Sequence, residues 1–535
     1  MTKYIVQNIK LPIEASKDVA FANAKRRLLH FFGNDEICKI DIHKRSVDAR
    51  KKGDIKFVWS VVAEISSERR YTDAELAKEN VVLSKDAALD IIYGDEDMNG
   101  RPLIVGFGPC GMFCALILAQ NGYRPIVIER GRNIAERAAD VERFFKTGDL
   151  CEESNIQFGA GGAGTFSDGK LVTRINDSKC AVVIEEMHRF GAPDDILYKA
   201  KPHVGTDYLK KVVSGIEKEI VSLDGEIYYN TKFLGFTEKN GKIISAKTSS
   251  GEIPCGALVM AIGHSARDTF GALEKNGVSL LPKAFSVGVR IEHLQSDIDR
   301  MLYGDMAGHP LLPSGEYSLS HKCKNGRGVY TFCMCPGGSV VAAASENGGV
   351  VTNGMSDHER NGKNANSAIA VSVLPEDYGG DVKGAVDFQR CIERGAFGLG
   401  GGGFCAPAQT VGYFLSKTTK KSFSSVTPTY MNGNVVFSDF GGIFPGFVTE
   451  SLKEGLLDFD RKMNGFASDH AVLTAPETRT SSPVRIPRND AFIAEGYDNF
   501  YPTGEGAGYA GGITSAGVDG INCALMIMAR YRREK

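Results

Sequence analysis

Residues 103–130, LIVGFGPCGMFCALILAQNGYRPIVIER, decide the fold class of this chain. A short apolar strand runs into the turn Gly106-x-Gly108-x-x-Gly111, and an apolar helix follows the turn. Gly106 permits a tight turn, Gly108 lets a diphosphate approach the backbone, and Gly111 lets helix and strand pack closely. The free amides at the start of the helix carry partial positive charge, which attracts phosphate. The stretch therefore predicts a unit that holds the diphosphate of a dinucleotide.

A second strand and an acidic residue complete the pattern. Residues 125–128 are apolar, and Glu129 follows Gly111 by 18 residues, about where the acid that binds a ribose belongs. Arg130 stands directly beside this acid. Because strand, helix, second strand and acid are in register, we predict that the chain binds a dinucleotide and that Glu129 and Arg130 contact it.

Composition limits the classes of protein to which the chain can belong. It has 535 residues, 42% of them hydrophobic and 24% charged, which is ordinary for a globular protein. The net charge of −2 argues against nucleic acid or an anionic membrane as a partner. The first residues lack the apolar core of a signal peptide, and no stretch reaches the roughly 20 apolar residues of a membrane span. Twelve scattered cysteines are typical of reduced thiols, so we expect a cytoplasmic protein.

The chain divides into three predicted domains. Residues 1–95 form a small N-terminal α+β domain with a connector. A Rossmann-like α/β domain is discontinuous and consists of residues 96–281 and 486–535. Residues 282–485, which are rich in short β-like runs, form an inserted substrate domain. Within the Rossmann-like domain, we predict that strands at 226–231 and 233–238 pair and lead into a hairpin at Asn240-Gly241.

Three further glycine-rich or strand-to-glycine segments are predicted to touch the cofactor. They are FGAGGAGTFSDGKL at 158–171, ALVMAIGHS at 257–265 and YPTGEGAGYAGGI at 501–513. Their small residues allow the backbone to lie along an extended ligand. The predicted contacts are Gly161, Gly162, Thr165, Ser167, Gly169, Lys170, Leu171, Gly263, His264, Gly504, Glu505, Gly512 and Ile513.

The combination resembles the two-domain FAD oxidoreductases, and specifically a widespread bacterial family of uncharacterised FAD-dependent dehydrogenases. The words that carry the resemblance are GGAGTFSDGKL, KAFSVGVRIEH, FCMCPGGSVVAAASENGGVVTNGMS, ETRTSSPVRIPR and GEGAGYAGGITSAGVDG, with DARKK near the N-terminus. The resemblance runs nearly end to end. Ala160 departs from it, because such sequences often carry Glu before the glycine pair.

The resemblance implies FAD as the cofactor and hydride exchange between flavin N5 and an unidentified small-molecule substrate, for which an anion is one candidate. In FAD folds of this type, Gly504 and Glu505 would meet the ribityl chain and diphosphate, while Gly512 and Ile513 would direct the last helix at the flavin. NAD(P)H is a candidate transient electron donor. The alternatives are a flavin oxidase or monooxygenase, an RNA-associated flavoprotein, and a flavin sensor without turnover.

Lys170, Cys333 and Cys335 are the candidate catalytic residues. Lys170 would place a cation near flavin N5, although a lysine on a turn is equally well explained by solvation. Cys333 and Cys335 are two apart, so on a regular strand they share one face and could form a redox pair or supply one nucleophile. We favour buried, unreactive thiols for them, and the neighbourhood offers too few ligands to predict a metal site.

Arginines and a basic run are the remaining candidates. Arg290, Arg479 and Arg485 would suit a carboxylate or phosphate substrate, although surface pairing with acids is the simpler interpretation of each. The runs His43-Lys44-Arg45 and Arg50-Lys51-Lys52 could dock an acidic redox partner protein or RNA. A solvated strand rim is the favoured interpretation of both runs.

The nature of the cofactor gives the first test. Acid release from the purified yellow protein is expected to yield FAD, because Glu129 is placed to bind an adenosine ribose that FMN lacks. Chromatography of the released flavin checks this, and recovery of FMN alone would contradict it.

Overall fold

The computed structural model describes residues 1–84 and 89–533. The N-terminal unit is a four-stranded antiparallel sheet in the order β2-β3-β1-β4, with one helix packed on it. Every second residue of β3 is buried, as expected for a sheet covered on one face. The helix that begins at Lys17 ends at Leu28, and backbone turns follow. The elements are β1 (Thr2–Pro12), α1 (Lys17–Leu28), β2 (Ile37–Asp48), β3 (Lys56–Ile65), α2 (Asp73–Ala77) and β4 (Val81–Leu83).

The second unit begins with the glycine turn. Its elements are β5 (Pro102–Val105), α3 (Pro109–Gln120), β6 (Ile126–Ile128), α4 (Ile134–Thr147), α5 (Lys179–Arg189), α6 (Thr206–Ser222), β7 (Glu226–Tyr228), β8 (Phe233–Lys239), β9 (Lys242–Thr248), β10 (Gly251–Pro254), β11 (Ala257–Met260) and α7 (Arg267–Lys275).

The third unit follows, and the chain then returns to the second one. The inserted elements are β12 (Leu281–Pro282), β13 (Phe285–Leu294), α8 (Gln295–Tyr303), β14 (Ser320–Lys322), β15 (Gly328–Cys335), β16 (Ser339–Ala342), β17 (Thr352–Met355), β18 (Asn364–Val373), α9 (Val382–Leu399), β19 (Ala406–Thr410), α10 (Val411–Phe414), β20 (Val435–Phe437), α11 (Gly446–Lys462), β21 (Val472–Glu477) and β22 (Val484–Arg485). The returning elements are β23 (Phe500–Pro502) and α12 (Ile513–Arg530).

A five-stranded parallel sheet in the order β23-β11-β5-β6-β7 forms the centre of the second unit. The apolar helix α3 is buried on nearly all sides, which is what a helix without a polar face requires. Helix α12 packs against it so closely that a Cβ on Gly520 would lie 2.1 Å from the Cys110 carbonyl oxygen. The C-terminal segment therefore completes a sheet that began at residue 102.

The inserted unit is built on a seven-stranded mixed sheet in the order β14-β15-β18-β13-β21-β19-β20. It also contains two long helices, α9 and α11, which the β-like composition of this region did not predict. Both have buried apolar faces in the core of this unit. The predicted fold class, a Rossmann-like domain interrupted by a β-rich insertion and preceded by a small α+β unit, is confirmed.

The predicted pairing of strands at 226–231 and 233–238 is wrong. β7 joins the parallel sheet beside β6, whereas β8 pairs with β9 in a separate three-stranded sheet. β7 and β8 therefore belong to different sheets, and each is paired with a strand other than the predicted one. The predicted hairpin does form, and Asn240 and Gly241 both adopt positive φ angles, as a tight turn of this kind requires.

Asn499 joins these two sheets and supplies a stability test. Its buried side chain accepts a hydrogen bond from Ile243 N and donates to the carbonyl oxygens of Ile243 and Gly256, all at 2.8 Å. We expect Asn499→Ala to lower the free energy of unfolding by about 2–4 kcal/mol, because buried backbone groups lose their partners. Thermal unfolding monitored by circular dichroism measures this. The exposed Asn361→Ala is the control, and equal midpoints for the two variants would contradict the expectation.

Candidate active site

The glycine turn has a distinct steric environment at each of its three glycines. Gly106 has φ +101°, and a Cβ there would lie 2.7 Å from the Ala261 carbonyl oxygen. A Cβ on Gly111 would lie 2.0 Å from the Gly106 carbonyl oxygen. At Gly108 the nearest atom to a Cβ is the Cα of Gly162 at 3.7 Å. Gly106 and Gly111 thus permit backbone contact, whereas Gly108 leaves space in front of the first turn of α3.

That space belongs to a cavity of about 310 Å³ at the carboxyl ends of β5, β6 and β11. Ligands of open α/β folds bind at this edge of the sheet. Many of the predicted contacts line it: Gly106, Gly108, Glu129, Arg130, Gly162, Ser167, Gly169, Lys170, Gly263, His264, Glu505, Gly512 and Ile513. The inserted unit contributes Phe332, Cys333, Asn353, Glu477, Arg479 and Thr480.

Other predicted contacts lie behind the cavity wall. Gly161 and Gly504 have positive φ angles, and a Cβ on either would collide with Thr165 or Cys110 respectively. Thr165 and Leu171 are buried, and the Leu171 carbonyl accepts a hydrogen bond from Thr514. In this structure these residues, like Gly111, shape the loops that face the cavity.

Glu129 is buried at the end of β6 and organises three backbone segments. One carboxylate oxygen accepts a hydrogen bond from Phe107 N, and the other accepts from Gly131 N and Gly159 N, each at 2.9 Å. A carboxylate has about four acceptor sites, so one remains for a ligand in the cavity that Glu129 lines. The carboxylate therefore holds the glycine turn in place and is available to a ribose hydroxyl.

Arg130 is held in a fixed position beside Glu129. Its guanidinium pairs with Glu153 at 2.6 Å and Asp268 at 2.9 Å, and it lies 4.0 Å from the centre of the Phe158 ring. The carboxylates raise the pKa of Arg130 against the opposing effect of burial. This end of the cavity presents a flat cation and an aromatic ring, which suits a nucleoside.

Another part of the cavity lining contains polar groups that form no hydrogen bond with the residues that the structure describes. Both ring nitrogens of His264 are buried and make no hydrogen bond, although Nδ1 lies 3.3 Å from a Glu505 carboxylate oxygen. Gly512 has φ +109° immediately before α12, and a Cβ there would meet no atom within 4 Å. An unpaired imidazole and an open helix N-terminus are groups that a phosphate- and carbonyl-bearing ligand can satisfy. The lining thus fits an extended flavin dinucleotide.

Lys170 belongs to a buried charge cluster at the border with the inserted unit. Its ammonium group contacts the Asp168 carboxylate and the Met334 carbonyl oxygen. Asp168 also accepts from Arg360, at 2.5 and 2.9 Å, and from Ser356. Burial raises the pKa of Asp168, but Lys170 and Arg360 outweigh it and hold that pKa far below its usual range. Burial would lower the pKa of Lys170, and Asp168 raises it overall.

The two candidate cysteines do not lie on a regular strand. The β15–β18 register shifts between Phe332 and Cys335, and Cys333 has φ +45°. The prediction that Cys333 and Cys335 share one face through strand alternation is therefore wrong in its geometry, because a bulge separates them. Cys333 is half-buried and lines the cavity, whereas Cys335 is fully buried behind it.

The three candidate arginines lie in different places. Arg479 lines the cavity and shares the buried Glu393 with Arg267. Arg290 lies outside the cavity lining, fully buried and paired with Glu477 at 3.0 Å. Arg485 is exposed, donates to the Gly508 carbonyl and stacks on a tyrosine ring. Sequence reasoning missed Glu477, whose signal was its place at the head of the word ETRTSSPVRIPR.

The basic N-terminal run is only partly available to a partner. Arg45 lies over the rings of Phe57, Trp59 and Tyr198, and its backbone bonds to Tyr198 and Ala200.

Among the residues that the structure describes, His321, Cys323 and Glu454 bring three potential metal-ligand atoms within 4.8 Å of one another. Glu454 already accepts hydrogen bonds from His321 and from Lys324 N.

Substitutions in the turn separate folding from cofactor binding. We expect the Gly108→Val variant to fold but to bind flavin with roughly 10- to 100-fold lower affinity. The valine side chain would fill the space in front of α3, at an overpacking cost of about 1–3 kcal/mol. Gly106→Val should fail to fold, since it combines positive φ with a backbone clash. Flavin absorbance per protein and circular dichroism measure both. Gly398→Val is the control, and full flavin content in Gly108→Val would contradict the assignment.

Comparisons with known proteins show what the chain is similar to. A family model described as "FAD-dependent protein, C-terminal domain-like" matches residues 284–480, and a domain of unknown function matches residues 1–64. Solved structures with a similar arrangement include L-amino acid deaminase from Proteus vulgaris (TM-score 0.35, 11% identity, 84% of this chain and 97% of that one) and glycine oxidase from Bacillus cereus (TM-score 0.32, 10% identity, 81% and 99%).

A relative that is similar along its whole length comes from Clostridium beijerinckii and is described as an uncharacterized protein. It is 46% identical over 533 residues, which is 98% of each chain. This relative and the domain match over residues 284–480 both support the resemblance that the sequence motifs indicate. The chain belongs to the same family of FAD-dependent proteins as this relative.

Proposed function

We propose that the protein transfers hydride between flavin N5 and a small anionic molecule that enters the cavity beside Lys170 and Arg479. The observation that carries the proposal is the composition of the cavity wall. One side consists of the dinucleotide-binding loops, and the other consists of β15, β17 and the end of β21 from the inserted unit. A cofactor held by the first side would present its reactive ring to side chains of the second.

The charge balance of this wall supports an anionic substrate. Asp168 pairs with two cations, so Lys170 shares its partner carboxylate with Arg360, which also lies 3.6 Å from Glu316. Lys170 is the member of this cluster that lines the cavity with a partly exposed side chain. By contrast, Glu477 is matched by Arg290 and brings no free negative charge to the cavity. A carboxylate or phosphate would therefore find a cation there that is not fully compensated.

Bound FAD would supply the atom that accepts or donates hydride. Glu129 and Arg130 would hold its adenosine end, and the turn at Gly106–Gly111 with the start of α12 would hold its diphosphate and ring. Lys170 would stabilise negative charge that develops on the substrate or ring, and its contact with the Met334 carbonyl keeps the ammonium group in one position. The inserted unit would exclude water from the reacting atoms.

The electron donor and the cellular location complete the proposal. NAD(P)H is a candidate transient donor, and an acidic redox partner could use the exposed Lys44, Lys51 and Lys52. All twelve cysteines lie in described residues and are free thiols, which supports a cytoplasmic protein. No helix within residues 1–84 and 89–533 is long and apolar enough to cross a membrane.

Anaerobic reduction of the purified holoprotein tests the proposal. NADH, NADPH and a panel of small hydroxy, amino and enoyl acids are each mixed with it, alongside the neutral methyl ester of each acid. We expect an acid to bleach the flavin absorbance and its ester to do so much more slowly. Lys170→Met should lower the rate constant of reduction by about 10²–10³-fold, the usual cost of losing one charge-stabilising group.

A matched lysine provides the control. Lys179 pairs with Asp177 across the same two-residue spacing, at 3.3 Å, but lies outside the cavity lining. Lys179→Met should leave the rate constant of flavin reduction unchanged. Equal rates for acids and esters, or an unaltered rate in Lys170→Met, would overturn the anionic substrate. Failure of the whole panel to reduce bound flavin would overturn hydride transfer from these classes.

A further inference from the structure

The thiols of Cys333 and Cys335 have no role in the proposed hydride transfer, although Cys333 lines the cavity. Cys333 sits on the bulge of β15 with φ +45°, where an ordinary side chain is strained. Its carbonyl oxygen is fixed by Arg290 Nη1 at 3.1 Å, and the next carbonyl, of Met334, is held by Lys170. Backbone strain that is held by two cations, Arg290 and Lys170, on the wall of the cavity indicates that Cys333 is positioned for a role.

The Cys335 thiol lies against Cys333. It donates to the Cys333 carbonyl oxygen at 3.4 Å. Behind it, a Cβ on Gly354 would come within 2.9 Å of the Cys335 sulfur, so backbone closes that side. The Cys333 sulfur therefore faces the cavity, and the Cys335 sulfur lies directly behind it.

The surroundings shift the pKa values of the two thiols in opposite directions. The hydrogen bond from Cys335 lowers the pKa of Cys333 to about 6 against burial, and the positive charges of Arg290 and Lys170 add to the effect. Glu477 and Asp168 are the acids that face the pair, and they are neutralised by Arg290 and by Lys170 with Arg360. The same hydrogen bond and burial raise the pKa of Cys335 well above its usual value. The surroundings thus favour the thiolate at Cys333 and the thiol at Cys335.

We propose that Cys333 and Cys335 form a redox-active dithiol that passes electrons from the reduced flavin to a low-molecular-weight disulfide. The proposal rests on flavin in this cavity and names the acceptor of the electrons that the hydride donor supplies. Cys333 is the attacking thiolate, because it is the sulfur that a cavity ligand can reach, and Cys335 is the resolving thiol.

The two half-reactions balance. Anionic reduced flavin gives two electrons and its proton to the Cys333–Cys335 disulfide, which becomes the Cys333 thiolate and the Cys335 thiol. The thiolate then attacks the substrate disulfide RS–SR, forms Cys333–S–SR and releases RS⁻. Cys335 passes its proton to RS⁻ and attacks the Cys333 sulfur, so the internal disulfide forms again and the second RS⁻ leaves.

Anaerobic titration of the oxidised holoprotein with dithionite measures the electron capacity. We expect wild type to take up four electrons per flavin, and Cys333→Ser and Cys335→Ser to take up two, because a disulfide is a two-electron couple. Oxidised Cys335→Ser should also show a long-wavelength charge-transfer band from the Cys333 thiolate. That band should fade as the pH is lowered, because protonation of Cys333 removes the thiolate that gives rise to it.

A second measurement does not need flavin. Pre-reduced protein is treated with hydroxyethyl disulfide and analysed by mass spectrometry of the peptide that carries both cysteines. Wild type should form the internal disulfide, and Cys335→Ser should trap the mixed disulfide on Cys333. The exposed Cys391→Ser is the control and should behave as wild type in both experiments.

The outcomes distinguish this inference from the proposed function. Two-electron uptake by wild type, or an unmodified Cys333 after hydroxyethyl disulfide, would overturn the dithiol while leaving hydride transfer intact. Internal disulfide formation in a protein that no hydride donor reduces would support the dithiol and contradict the proposed donor classes.

Discussion

Backbone contact at the glycine turn is the constraint on which the rest of the structure depends. Gly106 abuts the Ala261 carbonyl, Gly111 abuts Gly106, and Gly520 abuts the Cys110 carbonyl, each at a distance that no Cβ could occupy. These contacts bring together β5, α3, β11 and α12, which come from positions more than 400 residues apart. The cavity lies at this meeting point because the same absence of side chains that lets the backbones touch leaves space in front of the first turn of α3.

Buried charges connect the inserted unit to this framework. Asp168, on a loop of the dinucleotide-binding unit, bonds to Ser356 and Arg360 of the insertion, and Arg267 bonds to Glu393. Burying such groups is costly unless each is paired, so the pairs specify one orientation of the units more than they add stability. The cavity wall that comes from the inserted unit is therefore positioned by electrostatics, whereas the wall that comes from the glycine turn is positioned by close packing.

Local patterns predicted what local physics controls. The glycine turn, the hairpin at Asn240-Gly241 and the start of α12 all follow from residues adjacent in sequence, and the structure contains each of them. The pairing of 226–231 with 233–238 failed because β7 finds a better partner in β6, about 100 residues away. Alternation along residues 333–335 failed because a bulge, invisible in the letters CMC, breaks the strand.

The sequence by itself determined the fold class, the family, FAD as the cofactor and most of the segments that surround the cavity. These features depend on local motifs, which keep their structure in nearly any side-chain environment. Only the tertiary structure decided which charged groups face one another. In the tertiary structure Arg479 lies on the cavity wall, whereas Arg290 lies outside the cavity lining and pairs with Glu477. The tertiary structure also set Cys333 between Arg290 and Lys170. Such pairings join residues far apart in the chain, and their energies depend on burial and distance, which no local pattern encodes.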